Sequence, residues 1–471
     1  MKYRVMVVSI LVLGLFALYA SNDVQAYPWF ARRLVDNCNK CHVSFPKTND
    51  YGEYVKYTGY ELPQMDYTGL EESPLKHFLR YVPVAMRFKM DAINSEPSNA
   101  EGDLNFREIQ LISGGSILDN KISWWFHKHV VEDNTAVNLF DGTPHEMWAQ
   151  YNLQFGKSDV NRVGVRYGMA ELPLKFSPSK TKVSEVGYAI YNAILGNNTF
   201  TLSTPQYGVA VNGLRLGGDG FNEVQSTLSL AVVNGTGDFS SYDFNQIFGR
   251  VGTEVANTMI GAFTYVGSQE VPLTMETDEH AEEDEHVADE HTDEHADEHV
   301  DEPLTADNNV FRLGFDFDMD ITPMFNVYGL GLYGRDGNPL GLQLADSGNF
   351  YGGFFGMDYC PSERLMFSWR FDAVRFSGLP AAEHDEHAEE EHAEHEEEAP
   401  VDEHEAEVVD DHGTGNVHIH GDLISTDTDA MIFGFQYLLP IPNYQLRLTT
   451  EYRIGIRGQS DLIISGLQFA L

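Results

Sequence analysis

Short segments of alternating apolar and polar residues recur from residue 79 to the end of the chain. In residues 444–456, Tyr452, Ile454 and Ile456 share one face, whereas Glu451 and Arg453 occupy the other. Successive side chains of a β-strand point to opposite sides, so strict alternation places one face in an apolar environment and the other in water. The pattern therefore predicts a series of strands, each with one apolar and one polar face.

About sixteen such segments occur, which is a common size for a single-chain outer-membrane barrel. The connections after even-numbered segments are tight, and most of those after odd-numbered segments are longer. Short periplasmic turns and long external loops are typical of such barrels. Residues 79–471 are therefore predicted to form an all-β fold, a transmembrane antiparallel β-barrel. Its strands are expected to begin near residues 80, 104, 121, 146, 162, 207, 222, 246, 258, 310, 325, 349, 364, 430, 444 and 460.

One long connection, residues 171–205, has two interpretations. Either the connection contains a further hairpin, which would make eighteen strands, or it folds inward and narrows the pore. Both agree with a barrel whose long connections lie on one side.

The first 26 residues have the features of a secretory signal peptide. Lys2 and Arg4 precede an apolar stretch at residues 6–20, and a small-residue cleavage site follows at residues 24–26. The alternative is an uncleaved anchor helix. Downstream, no apolar run reaches the ~20 residues that a spanning helix needs. We therefore expect export to the bacterial outer membrane, where the barrel contacts lipid.

The charge balance excludes nucleic acid as a partner. The chain has 30 basic and 72 acidic residues, whereas phosphate backbones require clusters of Lys and Arg. The negative charge is concentrated in residues 276–302 and 383–411, which hold 15 and 16 acidic residues and no basic residue.

The same stretches are rich in histidine, and we name residues 276–302 and 383–420 the His/acid tracts. Imidazole and carboxylate together suit divalent metals such as Fe(II), Zn(II), Ni(II) or Cu(II). Strand parity places both tracts on the outer side of the barrel, and the alternative role is a solvated acidic brush. The candidate ligands are His286, His291, His295 and His299, with further histidines from His384 to His420.

The motif Cys38-Asn39-Lys40-Cys41-His42 has the spacing at which c-type haem is attached. The two thiols form thioethers to the haem, and the imidazole of the adjacent histidine ligates the iron. A thioredoxin-like dithiol would require a surrounding βαβ pattern, and half a zinc site would require a second ligand pair. Neither is found in the sequence, so one covalent haem c is predicted.

The second axial ligand is open between Met65 and His77, of which Met65 is preferred because it lies in a loop-like stretch. Methionine would raise the reduction potential and a second histidine would lower it. Residues 27–78, the predicted monohaem cytochrome c segment, form a small helical unit too short to fold alone. We therefore expect the segment on the periplasmic side of the barrel or in its lumen.

The third predicted strand carries a possible second metal site. Trp125, His127 and His129 share one face, and Trp124 and Phe126 share the other. If the latter two face lipid, His127 and His129 line the lumen and are candidate metal ligands. Half-buried histidines without such a role are also common in strands.

Several N-terminal positions together form a recognisable pattern. They are Phe30-Ala31-Arg32, the Cys38 to His42 motif, Phe45-Pro46, Gly52 and Gly59-Tyr60. These positions resemble the head of the fused monohaem cytochrome–porins, a family that includes outer-membrane iron(II) oxidases. The resemblance implies an electron conduit: an external donor such as Fe(II) is oxidised, and the electron passes to a periplasmic carrier. Residues 33–35 depart from the family pattern, and the His/acid tracts are not part of it.

Three functions of different classes follow from the sequence. The first is a cytochrome–porin that oxidises an external metal. The second is a porin that binds or transports divalent metals and carries an accessory haem. The third is a surface protein that sequesters metal through the His/acid tracts.

Overall fold

The computed structural model describes residues 41–44, 46–60, 84–95, 104–117, 121–132, 135–136, 145–154, 162–180, 183–216, 226–235, 243–255, 257–272, 305–341, 347–378, 424–439, 445–458 and 461–470. The predicted signal peptide and both His/acid tracts lie outside these ranges.

A short sheet and one helix precede a long series of strands. Among the described residues, no helix has the length and hydrophobicity needed to cross a bilayer. The elements are β1 (His42–Ser44), β2 (Lys47–Thr48), α1 (Asp50–Tyr57), β3 (Val84–Ser95), β4 (Leu104–Ile117), β5 (Ile122–Glu132), β6 (Thr135–Ala136), β7 (Glu146–Gln154), β8 (Arg162–Ala170), β9 (Gln206–Leu216), β10 (Ser226–Val233), β11 (Gln246–Val255), β12 (Thr258–Pro272), β13 (Thr305–Thr322), β14 (Phe325–Asp336), β15 (Gly348–Ser362), β16 (Leu365–Ser377), β17 (Thr428–Leu439), β18 (Gln445–Arg457) and β19 (Leu462–Ala470).

The strands from β3 to β19 form a closed antiparallel barrel, because β19 pairs with β3. β5 pairs directly with β7 past the two-residue β6, so the wall contains sixteen long strands. The predicted all-β barrel is thus confirmed. Each long strand begins within about five residues of its predicted position, as expected where alternation is strict.

Side chains alternate between the outside of the barrel and its lumen. On β13, Phe311, Leu313 and Phe315 face outward, and Arg312 and Asp316 face inward. Phe315 is 60% exposed, whereas Arg312 is 1% exposed. A closed ring satisfies the backbone hydrogen bonds of the wall within the wall, and an apolar exterior suits lipid. The chain therefore forms a transmembrane barrel of the outer-membrane type.

The two ends of the barrel differ in their connections. Turns of two residues follow β11, β13 and β15 at one end, which we name the tight-turn end. The connections after β12 and β16, which contain the His/acid tracts, leave from the opposite, long-loop end. In outer-membrane barrels the short turns are periplasmic and the long loops external.

The connection between β8 and β9 folds into the lumen, and we name it the inner loop (residues 171–180 and 183–205). It contains a short 3-10 helix, Ala189–Asn192, and adds no hairpin. Tyr188 stacks on Phe354 of β15 at 4.3 Å between ring centroids, and Phe200 stacks on Tyr265 of β12 at 4.7 Å. Of the two interpretations of residues 171–205, the inward-folded one is correct.

Candidate functional site

Cys41 and His42 are the described part of the predicted haem motif. Nδ1 of His42 donates to the carbonyl oxygen of Pro46 at 3.2 Å, which orients the imidazole ring. Desolvation lowers the pKa of His42 to about 4, so the imidazole is neutral at physiological pH. The neutral ring is the form that ligates metals, and a hydrogen bond to the other nitrogen orients it. The residues present therefore fit a proximal haem ligand.

Helix α1 packs directly against the backbone of the motif. Asn49 caps the helix by accepting from the backbone N–H of Gly52 at 3.0 Å, and its own N–H donates to the carbonyl oxygen of Cys41 at 3.0 Å. A Cβ atom at position 52 would lie 2.0 Å from that carbonyl oxygen. Only glycine permits this approach, so Gly52 fixes how closely the helix lies to the cysteine.

Replacing Gly52 with alanine is expected to lower the amount of covalently bound haem per chain. The added Cβ would collide with a backbone atom of Cys41, which cannot rotate away as a side chain can. The ratio of haem absorbance to protein in the purified chain measures the effect. Gly331→Ala on β14 is the matched control, because a Cβ there has no neighbour within 4 Å. Equal haem content in both variants would contradict the prediction.

Residues 41–44 and 46–60, which we name the lumen segment, are attached to the inner wall of the barrel. The short sheet lies against β15. Three contacts attach the segment: Ser123 Oγ donates to the carbonyl oxygen of Thr58 at 3.2 Å, Lys47 Nζ pairs with Asp358 at 3.5 Å, and the ring of Tyr60 stacks on Trp125 at 4.5 Å between centroids.

These contacts place the lumen segment near the tight-turn end. Ser123 is the second residue of β5, directly after the turn from β4, and Asp358 lies close to the turn that follows β15. Gly59 has a positive φ of 72°, which disfavours other residues, and a Cβ there would lie 2.9 Å from the side-chain amide of Gln150 on β7. The segment therefore turns at Gly59 and ends with Tyr60 against the wall.

The two histidines predicted on the third strand face the lumen, where two further groups join them. We name His127, His129, His145 and Glu146 the histidine cluster. The ring centroids of its histidines are 4.8 to 5.3 Å apart, and all four side chains are buried. Ligand atoms of His127, His145 and Glu146 all lie within 4.8 Å of one another.

His145 and Glu146 are functional candidates that sequence reasoning missed. Glu146 begins β7 and is the cross-strand partner of His127, so pairing of β5 with β7 brings these residues together. The sequence signal was the adjacent His-Glu pair at the start of a predicted strand. Whether this pair lies beside His127 depends on the strand register, which the sequence between β5 and β7 does not reveal.

The remaining predicted site residues lie outside the described part of the chain. The structure therefore does not bring them together or separate them. They are Cys38, Met65, His77, His286, His291, His295 and His299.

No protein-family model and no curated protein matches the chain. Several solved outer-membrane proteins are similar to it in structure. OmpT of Vibrio cholerae is 7% identical with a TM-score of 0.46, over 83% of this chain and 99% of that chain. The anion-selective porin from Comamonas acidovorans is 8% identical with a TM-score of 0.46, over 83% and 99% of the two chains. OmpF of Salmonella typhi, in complex with daunomycin, is 10% identical with a TM-score of 0.44, over 82% and 97%.

Proposed function

We propose that the chain is an outer-membrane cytochrome–porin, which carries electrons across the membrane through one covalent haem c bound at Cys38, Cys41 and His42. The observation that carries the proposal is the position of the lumen segment. Its Cys41 and His42 belong to a segment held inside a closed barrel by contacts with β5 and β15. A redox motif in that position lies between the two sides of the membrane.

The haem would supply one-electron chemistry at its iron. The chain's residues attach and orient it. The two thiols would hold the porphyrin, His42 would provide a nitrogen ligand to the iron, and the carbonyl oxygen of Pro46 orients the imidazole of His42. Met65 would supply the second ligand to the iron, with His77 as the alternative.

The thickness of the membrane supports a lumenal position for a single redox centre. The hydrocarbon core of a bilayer is ~30 Å thick, so a haem on a separate periplasmic domain would be far from an external donor. A segment inside the barrel shortens that path. The inner loop fills another part of the lumen, which favours a conduit for electrons over a wide pore for solutes.

The donor is proposed to be an external metal ion such as Fe(II), and the acceptor a periplasmic electron carrier. The donor would approach from the long-loop end, where the connections containing the His/acid tracts leave the barrel. Imidazoles and carboxylates in those tracts are ligands for borderline divalent metals. The periplasmic carrier would dock at the tight-turn end, near which the lumen segment lies.

The second candidate is a porin that binds or transports divalent metals and carries the haem as an accessory. The observation that favours it is the histidine cluster, a set of metal-ligating side chains in the lumen that needs no haem to bind metal. In that case the ion itself, and not only its electron, would cross the membrane.

A vesicle experiment separates the two functions. Vesicles containing the protein enclose a redox dye and an iron chelator, and Fe(II) is added outside under anaerobic conditions. We expect the dye to be reduced while the enclosed chelator stays free of iron. Vesicles with the Cys38→Ala/Cys41→Ala chain are the control, because this variant keeps the barrel strands and lacks the thiols. Iron on the enclosed chelator without dye reduction would support transport and contradict the conduit.

A further inference from the structure

The histidine cluster brings three buried imidazoles side by side on the inner wall of the barrel. His127 is 5% exposed, and its Nε2 has no hydrogen-bond partner among the described residues. Burying such a group without a partner costs about 1 to 3 kcal/mol. A buried polar atom of this kind is expected to have a bonding partner. Imidazole nitrogen is the commonest protein ligand of metals, so a metal ion is a suitable partner.

Neighbouring groups hold two members of the cluster in position. Glu146 accepts from the backbone N–H of Glu171 at 3.0 Å and from Lys180 at 2.7 Å, both in the inner loop. The amide of Gln110 on β4 donates to Nε2 of His129 at 2.9 Å, which places the proton of that ring on Nδ1. The hydrogen bonds to Glu146 orient a metal ligand from a second layer, whereas the bond to Nε2 fixes His129 as a neighbour of the site.

The geometry is close to that of a bound ion. Bonds of about 2.1 Å to a tetrahedral metal place ligand atoms roughly 3.4 Å apart, whereas those of His127, His145 and Glu146 lie within 4.8 Å of one another. Closing that difference requires side-chain shifts of about 1 Å, which rotation about χ angles provides. Imidazoles with one carboxylate are a ligand set for Zn(II) and for non-haem Fe(II).

We propose that His127, His145 and Glu146 bind a divalent transition-metal ion in the lumen, with His129 as a neighbour of the site. Lys180 is the competing cation for Glu146, and metal binding would compete with this ion pair.

The position of the site relates it to the lumen segment. The ring of Tyr60 stacks on Trp125, and the centroid of the Tyr60 ring lies 6.0 Å from that of Trp148. Trp125 and Trp148 are cross-strand partners, two residues along the wall from the pair of His127 and Glu146. An ion that enters from the long-loop end would therefore reach the histidine cluster before it reaches this stack. The inference that the bound ion is the electron donor rests on the proposed function, whereas the binding site does not.

Zinc binding by the purified full-length protein tests the site itself, because Zn(II) is redox-inert. We expect the wild type to retain one more Zn(II) per chain than His127→Ala/His145→Ala after equilibrium dialysis against a zinc buffer. Both proteins carry the same His/acid tracts, so the contribution of the tracts cancels.

The matched control is His291→Ala/His295→Ala, which removes two histidines from a tract and is expected to keep the additional ion. Equal zinc content in the wild type and the lumenal variant would overturn the proposal. A heat-modifiability gel shows whether each variant has a folded barrel, and His127→Gln replaces the double variant if that fails.

Two spectroscopic outcomes settle the relation to the haem. If Fe(II) reduces the wild-type haem at least tenfold faster than that of His127→Ala/His145→Ala, while dithionite reduces both equally, the ion at the cluster is the donor. Equal rates with Fe(II) would overturn that role and leave the zinc result standing. Failure of Fe(II) to reduce even the wild-type haem would refute the proposed function, and not the site. A change of the oxidised haem from low spin to high spin in the variant would assign one of these imidazoles to the haem iron and overturn the separate site.

Discussion

Replacing Cys38 and Cys41 together with alanine is expected to remove all covalently bound haem while the barrel still folds. Each thioether bond uses one cysteine thiol, so without both thiols His42 alone would leave the haem held by one reversible bond. The barrel begins at β3 and closes through the pairing of β19 with β3, so its strands do not include the motif. Haem staining after denaturing electrophoresis measures the covalent attachment, and the shift in mobility on heating measures the folded barrel.

Cys360→Ala is the matched control for this prediction. Cys360 lies on the inner face of β15, is buried, and is the third cysteine of the chain. Its removal is expected to leave the haem stain unchanged. The predicted attachment would be refuted if the Cys38→Ala/Cys41→Ala protein still stained, or if Cys360→Ala abolished the stain as well. His42→Ala should keep the stain but alter the visible absorption, because the thioethers remain and the proximal nitrogen is lost.

The barrel was predictable because every wall strand has two environments. Lipid on one side and the lumen on the other impose alternation on residues such as Phe315 and Asp316, and a shift of one residue would exchange the two faces. Strand boundaries near residues 258 and 325 could be placed for the same reason. The tight turns between paired strands added a second constraint, which fixed the order of long and short connections.

The inner loop was less predictable, because its structure is determined by what it packs against. Residues 171–205 lack both the period-two pattern of a strand and the period of an amphipathic helix. Leu195 and Tyr191 are buried only because the apolar inner faces of β11, β12 and β15 surround them. Sequence reasoning could offer inward folding as an alternative to a hairpin, but the choice depends on contacts between distant segments.

The histidine cluster shows a similar limit. Alternation placed His127 and His129 on the lumenal face of their strand, which the structure confirms. The cross-strand pairing of His127 with Glu146 depends on the length and path of the connection between β5 and β7. Sequence alone therefore predicts two members of the cluster, and the tertiary structure supplies the other two. The predicted haem motif is the opposite case, because the prediction rests on the local spacing of Cys38, Cys41 and His42 and does not depend on the fold.

The inner loop leads to the second large effect: its removal should open the barrel to ions. Replacing residues 183–203 with a short Gly/Ser link is expected to raise the single-channel conductance in planar bilayers several-fold. This stretch contains the 3-10 helix and the buried Leu195 and Phe200, which pack in the lumen against the apolar inner faces of β10 to β16. A Gly/Ser link has no apolar side chains with which to pack there, so water and ions would enter.

A smaller rise in conductance is expected from a substitution of Arg370, a wall residue on β16 that binds the inner loop. Arg370 donates to the carbonyl oxygen of Gly187 at 2.7 Å and pairs with Asp372 at 2.7 Å, and Asp372 is buried with it. Arg370→Met removes the guanidinium that pairs with the buried carboxylate of Asp372, at a cost of about 3 kcal/mol or more. We therefore expect the loop to loosen, with conductance between that of the wild type and that of the loop-replaced protein.

Arg375→Met, on the same strand, is the matched control for Arg370→Met. Arg375 pairs with Asp429 on the neighbouring strand at 2.7 Å and has no contact with the inner loop among the described residues. A partly exposed pair of this kind contributes at most about 1 kcal/mol, so the conductance should stay at the wild-type value. If the loop-replaced protein also stayed at that value, the inner loop would not be what closes the lumen, and the lumen segment would have to block it alone.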